Sequence, residues 1–187
     1  MATDSRWAGY LTPSGEERSN PTTAVRMWVA GITGLPLTEV RRTGAAHPAK
    51  TPPIGANWCA VSLQSMRREG SAYVDSRREP DDVTVTRWQS LKFSLSFYGD
   101  DALLMAERFL LGARVEQHLT ELSRFGLKLR RIDEDVVHVP DLYNSKRWVD
   151  RYVVGIELAR SIGAQFGVRT IKTAGIKIIT EKGVLNE

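Results

Sequence analysis

Residues 88–112 constrain the fold more than any other stretch, because an alternating pattern runs directly into a helical one. From Leu91 to Phe97, apolar and polar side chains alternate, which is the two-residue period of a strand with one buried face. Gly99 interrupts the pattern, and Asp100 or Asp101 is suited to cap the N-terminus of a helix.

The segment after this break has the spacing of an amphipathic helix. Its apolar residues recur every three or four positions: Ala102, Leu103, Ala106, Phe109 and Leu110. Neither the strand nor the helix can bury its apolar face alone, so the two are expected to pack together. The sequence therefore predicts a core in which Phe109 lies against Phe93 and Phe97.

Asn20 and Pro21 mark the start of an earlier helix, since Asn is favoured at the cap and Pro at the first helical position. One face of this helix carries Val25, Trp28, Val29 and Ile32, and Gly34 and Pro36 end it. Residues 36–57 show little periodicity and predict a long loop. Compact domains seldom keep so long a loop without a use, so we expect it to contact a partner.

The remaining elements are mostly strands. Strands are predicted over 58–66, 83–98, 127–139, 148–158 and 168–180, with a turn or bulge at 133–135. A third helix is predicted over 115–125. Because the segment 83–98 is much longer than an average strand, part of it is expected to project as a hairpin. In the segment 148–158, Trp148 is predicted to share a face with Tyr152, Val154, Ile156 and Leu158. The order predicts an α+β fold, with helices on one face of a mostly antiparallel sheet.

Residues 1–19 are predicted to form an N-terminal arm, and residues 20–187 one α+β domain. The arm is polar but contains three apolar anchors, Trp7, Tyr10 and Leu11. We expect them to bind a neighbouring surface. Pro52 and Pro53 in the loop, and Trp88 where the long strand leaves the domain, are further candidate contacts because tryptophan is favoured at interfaces. For Trp28 and Trp58 a core position is predicted.

The chain carries few signs of catalysis. It has no nucleophile elbow, P-loop, dinucleotide-binding glycine motif or zinc-binding spacing around its 3 histidines. The lone Cys59 excludes an intrachain disulfide and is expected to be a small buried apolar residue. Asp133, Glu134, Asp135 and Asp141 could hold a cation, although a solvated acidic turn fits them better. We expect no enzyme activity, no cofactor and no metal.

Charge and hydropathy restrict the partners. No apolar run is long enough to cross a membrane, and the polar N-terminus does not fit a secretory signal, so an intracellular protein without a membrane partner is expected. The net charge is only +4. The most basic region is the predicted C-terminal strand, where Arg169, Lys172 and Lys177 are candidates to face DNA. A small DNA-binding module using this strand is the alternative function.

Several short motifs resemble the bacteriophage neck terminator proteins, within the wider group of tail terminator and tail completion proteins. They are Gly9-Tyr10-Leu11-Thr12-Pro13, Trp28-Val29-Ala30-Gly31-Ile32-Thr33-Gly34-Leu35-Pro36, Asn57-Trp58-Cys59-Ala60, Ser96-Phe97-Tyr98-Gly99 and Trp148-x-x-Arg151. The resemblance covers roughly residues 9–160, and the region from Ser161 onward resembles nothing that can be placed.

The resemblance implies a structural virion protein without an active site. Such proteins form a ring, usually six-fold, that closes the head-proximal end of the tail and joins it to the head-to-tail connector. The implied partners are other copies of the chain, the tail tube and sheath proteins, the connector proteins, and genomic DNA that passes without specific binding. The implied location is the virion, after assembly in the cytoplasm of the bacterial host.

Overall fold

Three helices and a mostly antiparallel sheet form the structure, a computed structural model that describes residues 11, 13, 20–44, 52–79, 82–143 and 147–167. The helices are α1 (Pro21–Thr33), α2 (Ala102–Gly112) and α3 (Glu116–Arg124). The first strands are β1 (Val40–Arg42), β2 (Trp58–Glu79), β3 (Asp82–Tyr98) and β4 (Leu127–Ile132). The remaining strands are β5 (Val137–His138), β6 (Asp141–Tyr143), β7 (Arg147–Val149) and β8 (Arg151–Gly167). The predicted α+β class is confirmed.

The main sheet has the strand order β1-β2-β3-β8-β4, and β5 also pairs with β8. All of its pairs are antiparallel except β1 with β2. β6 and β7 form a separate small hairpin. The long strands β3 and β8 pair without interruption from Asp82↔Gly167 to Tyr98↔Arg151, so alternate residues of both strands stay on one face over this whole length.

The inner face of the sheet, which the helices cover, contains the core. Leu91, Phe93, Leu95 and Phe97 of β3 are all buried there, as predicted. The ring of Phe109 on α2 lies 6.1 Å from that of Phe97 and 5.2 Å from that of Trp28 on α1, the latter edge to face. Each such aromatic pair adds to the free energy gained from burial alone. The predicted packing of the Phe109 helix on the sheet is therefore confirmed.

Helix α1 has the ends that the sequence predicts. The side chain of Asn20 accepts a hydrogen bond from the Thr22 amide at 3.0 Å, and Gly34 ends the helix in the left-handed region at φ 79°. Trp28 is buried and donates its indole N–H to the carbonyl of His118, 2.8 Å away. This bond joins α1 to α3.

The break between β3 and α2 depends on Gly99 and Asn57. Gly99 has φ 110°, and a Cβ there would lie 2.5 Å from the carbonyl oxygen of Ala56, so only glycine fits without movement of the backbone. Asp101 occupies the cap position of α2, but its side chain makes no capping bond. Instead the Asn57 side chain accepts from the Asp101 amide and donates to its carboxylate, both at 2.9 Å.

Two strands depart from the predicted pattern. The predicted loop over residues 36–57 contains β1, whose Val40 is fully buried next to β2. This short strand was not predicted because two of its three residues are arginines. The predicted strand over 58–66 continues to Glu79, because its polar residues pair with β3 through three register shifts. The expected projecting hairpin is therefore present, and both of its strands are long.

Two tryptophans were also predicted wrongly. Trp58 is only half-buried and lies on the face away from the helices, because it pairs with Tyr98 rather than with the core residue Phe97. Trp148 belongs to the separate strand β7 and is 67% exposed. It does not share the face of Val154, Ile156 and Leu158, since Asp150 separates the two strands. The predicted strand over 168–180 lies outside the described residues.

Candidate assembly surfaces

The outer face of the sheet, which points away from the helices, forms an open groove of about 920 Å³. Small side chains floor it where β2 and β3 pair: Ala60, Ser62, Ser94 and Ser96. Arg130 on β4 forms an ion pair with Glu69 on β2, although β3 and β8 lie between these strands. This ion pair crosses the outer face above β3 and β8.

One end of this groove is aromatic and cationic. The rings of Trp58 and Tyr98 stack with centroids 4.2 Å apart, and the Arg41 guanidinium lies 5.9 Å from the Trp58 ring. Tyr98 donates to the Asp141 carboxylate, which also accepts from Arg151 at 3.1 Å. Burial raises the pKa of Tyr98, and Arg151 partly opposes this rise. Tyr98 therefore stays neutral and a hydrogen-bond donor at neutral pH.

The part of the outer face next to the groove carries Asp133, Glu134 and Asp135, and two of these carboxylates form ion pairs. Asp133 pairs with Arg131 at 3.3 Å and Glu134 with Arg114 at 2.7 Å. A Cβ on Gly155 would collide with the Asp133 carboxylate, which lies directly over the β8 backbone. Among the residues that the structure describes, no three His, Cys, Asp or Glu side chains are placed to hold a metal ion. Cys59 is fully buried, and burial raises the pKa of its thiol far above the ordinary range.

The residues predicted to make contacts lie in different places. Pro52 is buried and lines the groove beside Trp58. Pro53 is exposed and lies in a second, smaller pocket with Trp58 and Trp148. Trp88 is 49% exposed on the outer face of β3, opposite Glu69 and Ser161 and apart from the groove lining. Leu11 is 38% exposed. Trp7, Tyr10, Arg169, Lys172 and Lys177 lie outside the described residues, and the contacts expected of them stay predictions.

A surface that the sequence reasoning missed lies on the outside of α2. Ala102, Ala106 and Phe109 point inward and are buried, whereas Leu104 is 53% and Leu111 76% exposed. Leu104 and Leu111 are seven residues apart and lie opposite the buried stripe. Val115, which follows the helix, is 47% exposed. We call Leu104, Leu111 and Val115 the helix stripe. Leucines on the solvent side of an amphipathic helix were the available signal, because that side is normally polar.

Beyond the core, the sheet continues as a three-stranded extension made of residues 66–79 of β2, 82–90 of β3 and 160–167 of β8. The last pair between β4 and β8 is Leu127↔Arg160, and β1 pairs with β2 only up to Val61. Residues 66–79 and 161–167 therefore form the two edges of the extension in the described part of the sheet. Strand edges offer unpaired backbone groups to another chain.

A comparison with protein families identifies the chain. The model of a family described as phage neck terminator protein matches residues 22–183. The chain belongs to this family. No curated protein matches it at a significant level.

As a phage neck terminator family member, the protein is a structural component of the virion, in the neck or tail, and its neighbours are other phage head and tail proteins. The family is a family of structural proteins. None of the helices in the described ranges is long and apolar enough to span a membrane.

The match also corrects the extent of the resemblance. It includes residues 161–183, for which no resemblance was found, and it does not include the motif at Gly9–Pro13. Residues 161–167 continue β8 and pair with β3, so they belong to the same sheet as the recognised motifs.

Proposed function

We propose that this neck terminator protein forms a homo-oligomeric ring, most simply a hexamer, which closes the head-proximal end of the tail and joins it to the head-to-tail connector. The family match over residues 22–183 carries this proposal. The partners are the tail tube and sheath proteins on one side of the ring and the connector proteins on the other.

The distribution of surfaces supports a ring. A closed ring of identical subunits needs two different, complementary patches on each subunit. This chain has surfaces of different character on its two sides. The outer face is an open groove with serines and an arginine-rich end, and the opposite side carries the apolar helix stripe.

The charge of the protein fits a channel for passing DNA. A lining dense in fixed cations would hold the phosphate backbone tightly, whereas this subunit has a net charge of only +4. Arg169, Lys172 and Lys177 are the residues we assign to the channel side, where they contact DNA without reading its sequence. Assembly takes place in the cytoplasm of the bacterial host, before the tail joins the head.

The N-terminal arm is proposed to bind a neighbouring subunit or tail protein through Trp7, Tyr10 and Leu11. Leu11 is exposed on the isolated chain. Deletion of residues 1–19 is expected to leave the melting temperature of the purified protein nearly unchanged but to abolish its assembly onto tails. Normal yields of infectious particles from the truncated protein would contradict this, and a large fall in melting temperature would show that the arm packs on its own domain.

The ring proposal is tested by removing the protein from the phage. Without a terminator, the tube end stays open to further growth and has no joint to the head. We expect electron micrographs to show DNA-filled heads without tails and free tails of irregular length, and expression of the protein in trans to restore joined particles. Normal particles without the protein, or its absence from the neck of purified virions, would contradict the proposal.

A further inference from the structure

The inner face of the extension is apolar at its far end, beyond Arg68, Arg87 and Arg160, although the helices cover only the other half of the sheet. Residues that pair directly across strands share a face, and the pairs here are Val74↔Val85, Val85↔Ala164 and Val83↔Phe166. By the alternation of β3, Val83 and Val85 lie on the same face as the core residues Leu91 and Phe93. Val74 is 57% exposed, and Val83, Val85 and Phe166 are half-buried. We call Val74, Val83, Val85 and Phe166 the extension patch.

Helix α2 of the same chain cannot cover the extension patch. It is fixed over the core by Ala102, Ala106 and Phe109, which are buried against the sheet at the level of Phe97. Phe97 is twelve residues along β3 from Val85, a distance of about 40 Å. The helix stripe points away from its own sheet. The extension patch and the helix stripe of one chain therefore cannot contact each other.

From these two surfaces we propose that the extension patch of one subunit binds the helix stripe of a second copy, head to tail. In this arrangement the helix layer that covers the inner face over the core is continued over the extension by the next subunit. The inference rests on the proposed ring and assigns its subunit interface. Both patches remain available at the ends of any open chain of subunits, so the contact repeats until the ring closes.

Charge agrees with this pairing. Arg68 and Arg87 border the extension patch on its core side, since Arg68 pairs with Gln89 and Arg87 follows Val85 on the same face. On α2, Arg108 donates to the carbonyl of Thr33 and Arg114 pairs with Glu134. This leaves Glu107, between Leu104 and Leu111, as the exposed charge that faces a partner. Carboxylate and guanidinium groups then meet at the border of an apolar contact.

The helix is shorter than the extension. An 11-residue helix is about 16 Å long, and nine residues of β3 span about 30 Å. Three strands add about 10 Å of width, so the helix covers roughly 160 Å² of the extension. A stable pairwise interface buries about 800 Å² on each side. The contact between two isolated subunits is therefore expected to be weak and to be strengthened by closure of the ring.

The test uses one exposed residue from each patch in the full-length protein. Leu111→Glu alters the helix stripe, and Val74→Lys alters the extension patch. Tyr73→Lys is the matched control, because Tyr73 is 60% exposed, adjacent to Val74, and on the opposite face. Circular dichroism melts first establish that each variant is folded; Leu111→Gln and Val74→Thr replace any variant that is not. Native mass spectrometry over a range of concentrations then measures self-association.

We expect oligomers from the wild type and from Tyr73→Lys, and at least a tenfold weaker self-association from Leu111→Glu and from Val74→Lys. A mixture of the two patch variants should form a one-to-one heterodimer and nothing larger, since each retains the patch that the other has lost. Wild-type association of either variant, equal loss in the Tyr73 control, or species larger than a dimer from the mixture would overturn the inference. A wild type that never self-associates would overturn it as well.

Failure of the proposed interface can be distinguished from failure of the proposed function. If Leu111→Glu protein still occupies the neck of virions as a ring, the proposed function stands and the subunit interface lies elsewhere. If the wild-type protein is absent from the neck, the proposed function fails whatever the mass spectra show.

Discussion

The same three strands, β2, β3 and β8, behave differently in the two halves of the sheet. In the core half, the inner-face residues Leu91, Phe93 and Leu95 are buried beneath helices from the same chain. In the extension, Val83 and Val85 continue this face along the same strand but are only half-buried. The pairing of β3 with β8 does not change between the halves. The helix layer covers only the core half, and we propose that the extension serves assembly.

Phe93→Ala should produce the largest effect on stability, because Phe93 is 2% exposed among core residues of β2, β3 and β8. The substitution leaves a cavity and is expected to lower the free energy of unfolding by about 3–5 kcal/mol. Val74→Ala is the comparison on the same face of the extension, where the exposed side chain should contribute less than about 0.5 kcal/mol. Urea denaturation of both variants measures the difference, and equal losses would mean that both halves have a core.

Asn57→Ala should lower the free energy of unfolding by an intermediate amount, and the change should be confined to the core half. The Asn57 side chain satisfies the backbone amide of Asp101 at the start of α2. Loss of a capping side chain typically lowers the free energy of unfolding by about 1 kcal/mol. Hydrogen exchange should show faster opening of the first turn of α2, with the extension unchanged. An unchanged melting temperature would show that water or another side chain replaces the cap.

Glu69→Gln should have the smallest effect on stability. It tests the ion pair between Glu69 in the extension and Arg130 on β4. The hydrogen bond from Arg130 holds the pKa of Glu69 below its ordinary 4.5. A carboxyl group whose pKa is lower in the folded state stabilises the protein above its unfolded pKa, and this contribution is lost as the pH falls through the folded value. Glu69→Gln should therefore melt slightly below the wild type at neutral pH and equally at acidic pH. A difference that persists in acid would show that the pair is not responsible.

The core half was predictable because its sequence is locally consistent. Alternation from Leu91 to Phe97, the Asn20–Pro21 helix start and Gly99 each indicate one structure, and all are present. The extension was predictable only as a long hairpin. Its strand β2 is polar at Arg67, Arg68 and Glu69, where pairing with β3 overrides a composition that does not favour strands.

The assembly surfaces were harder to predict, since they depend on which residues the fold leaves uncovered. Leu104 and Leu111 fall outside the predicted apolar stripe of the helix, and the burial of Ala102, Ala106 and Phe109 shows that the fold leaves these two leucines exposed. Trp58 was assigned to the core because alternation alone does not say which of two faces is buried. Trp58 lines the outer groove because the strand register pairs it with Tyr98.

Hydrogen exchange of the free protein and of the protein within purified virions tests most directly whether the extension serves assembly. In the free protein, amides of β3 over residues 91–98 should be protected up to the free energy of global unfolding, and edge amides over 66–79 should exchange faster. In the virion, the edge amides should become strongly protected, while the exchange rates of amides over 91–98 should not change. Equal exchange of the edge amides in the free and assembled protein would contradict it.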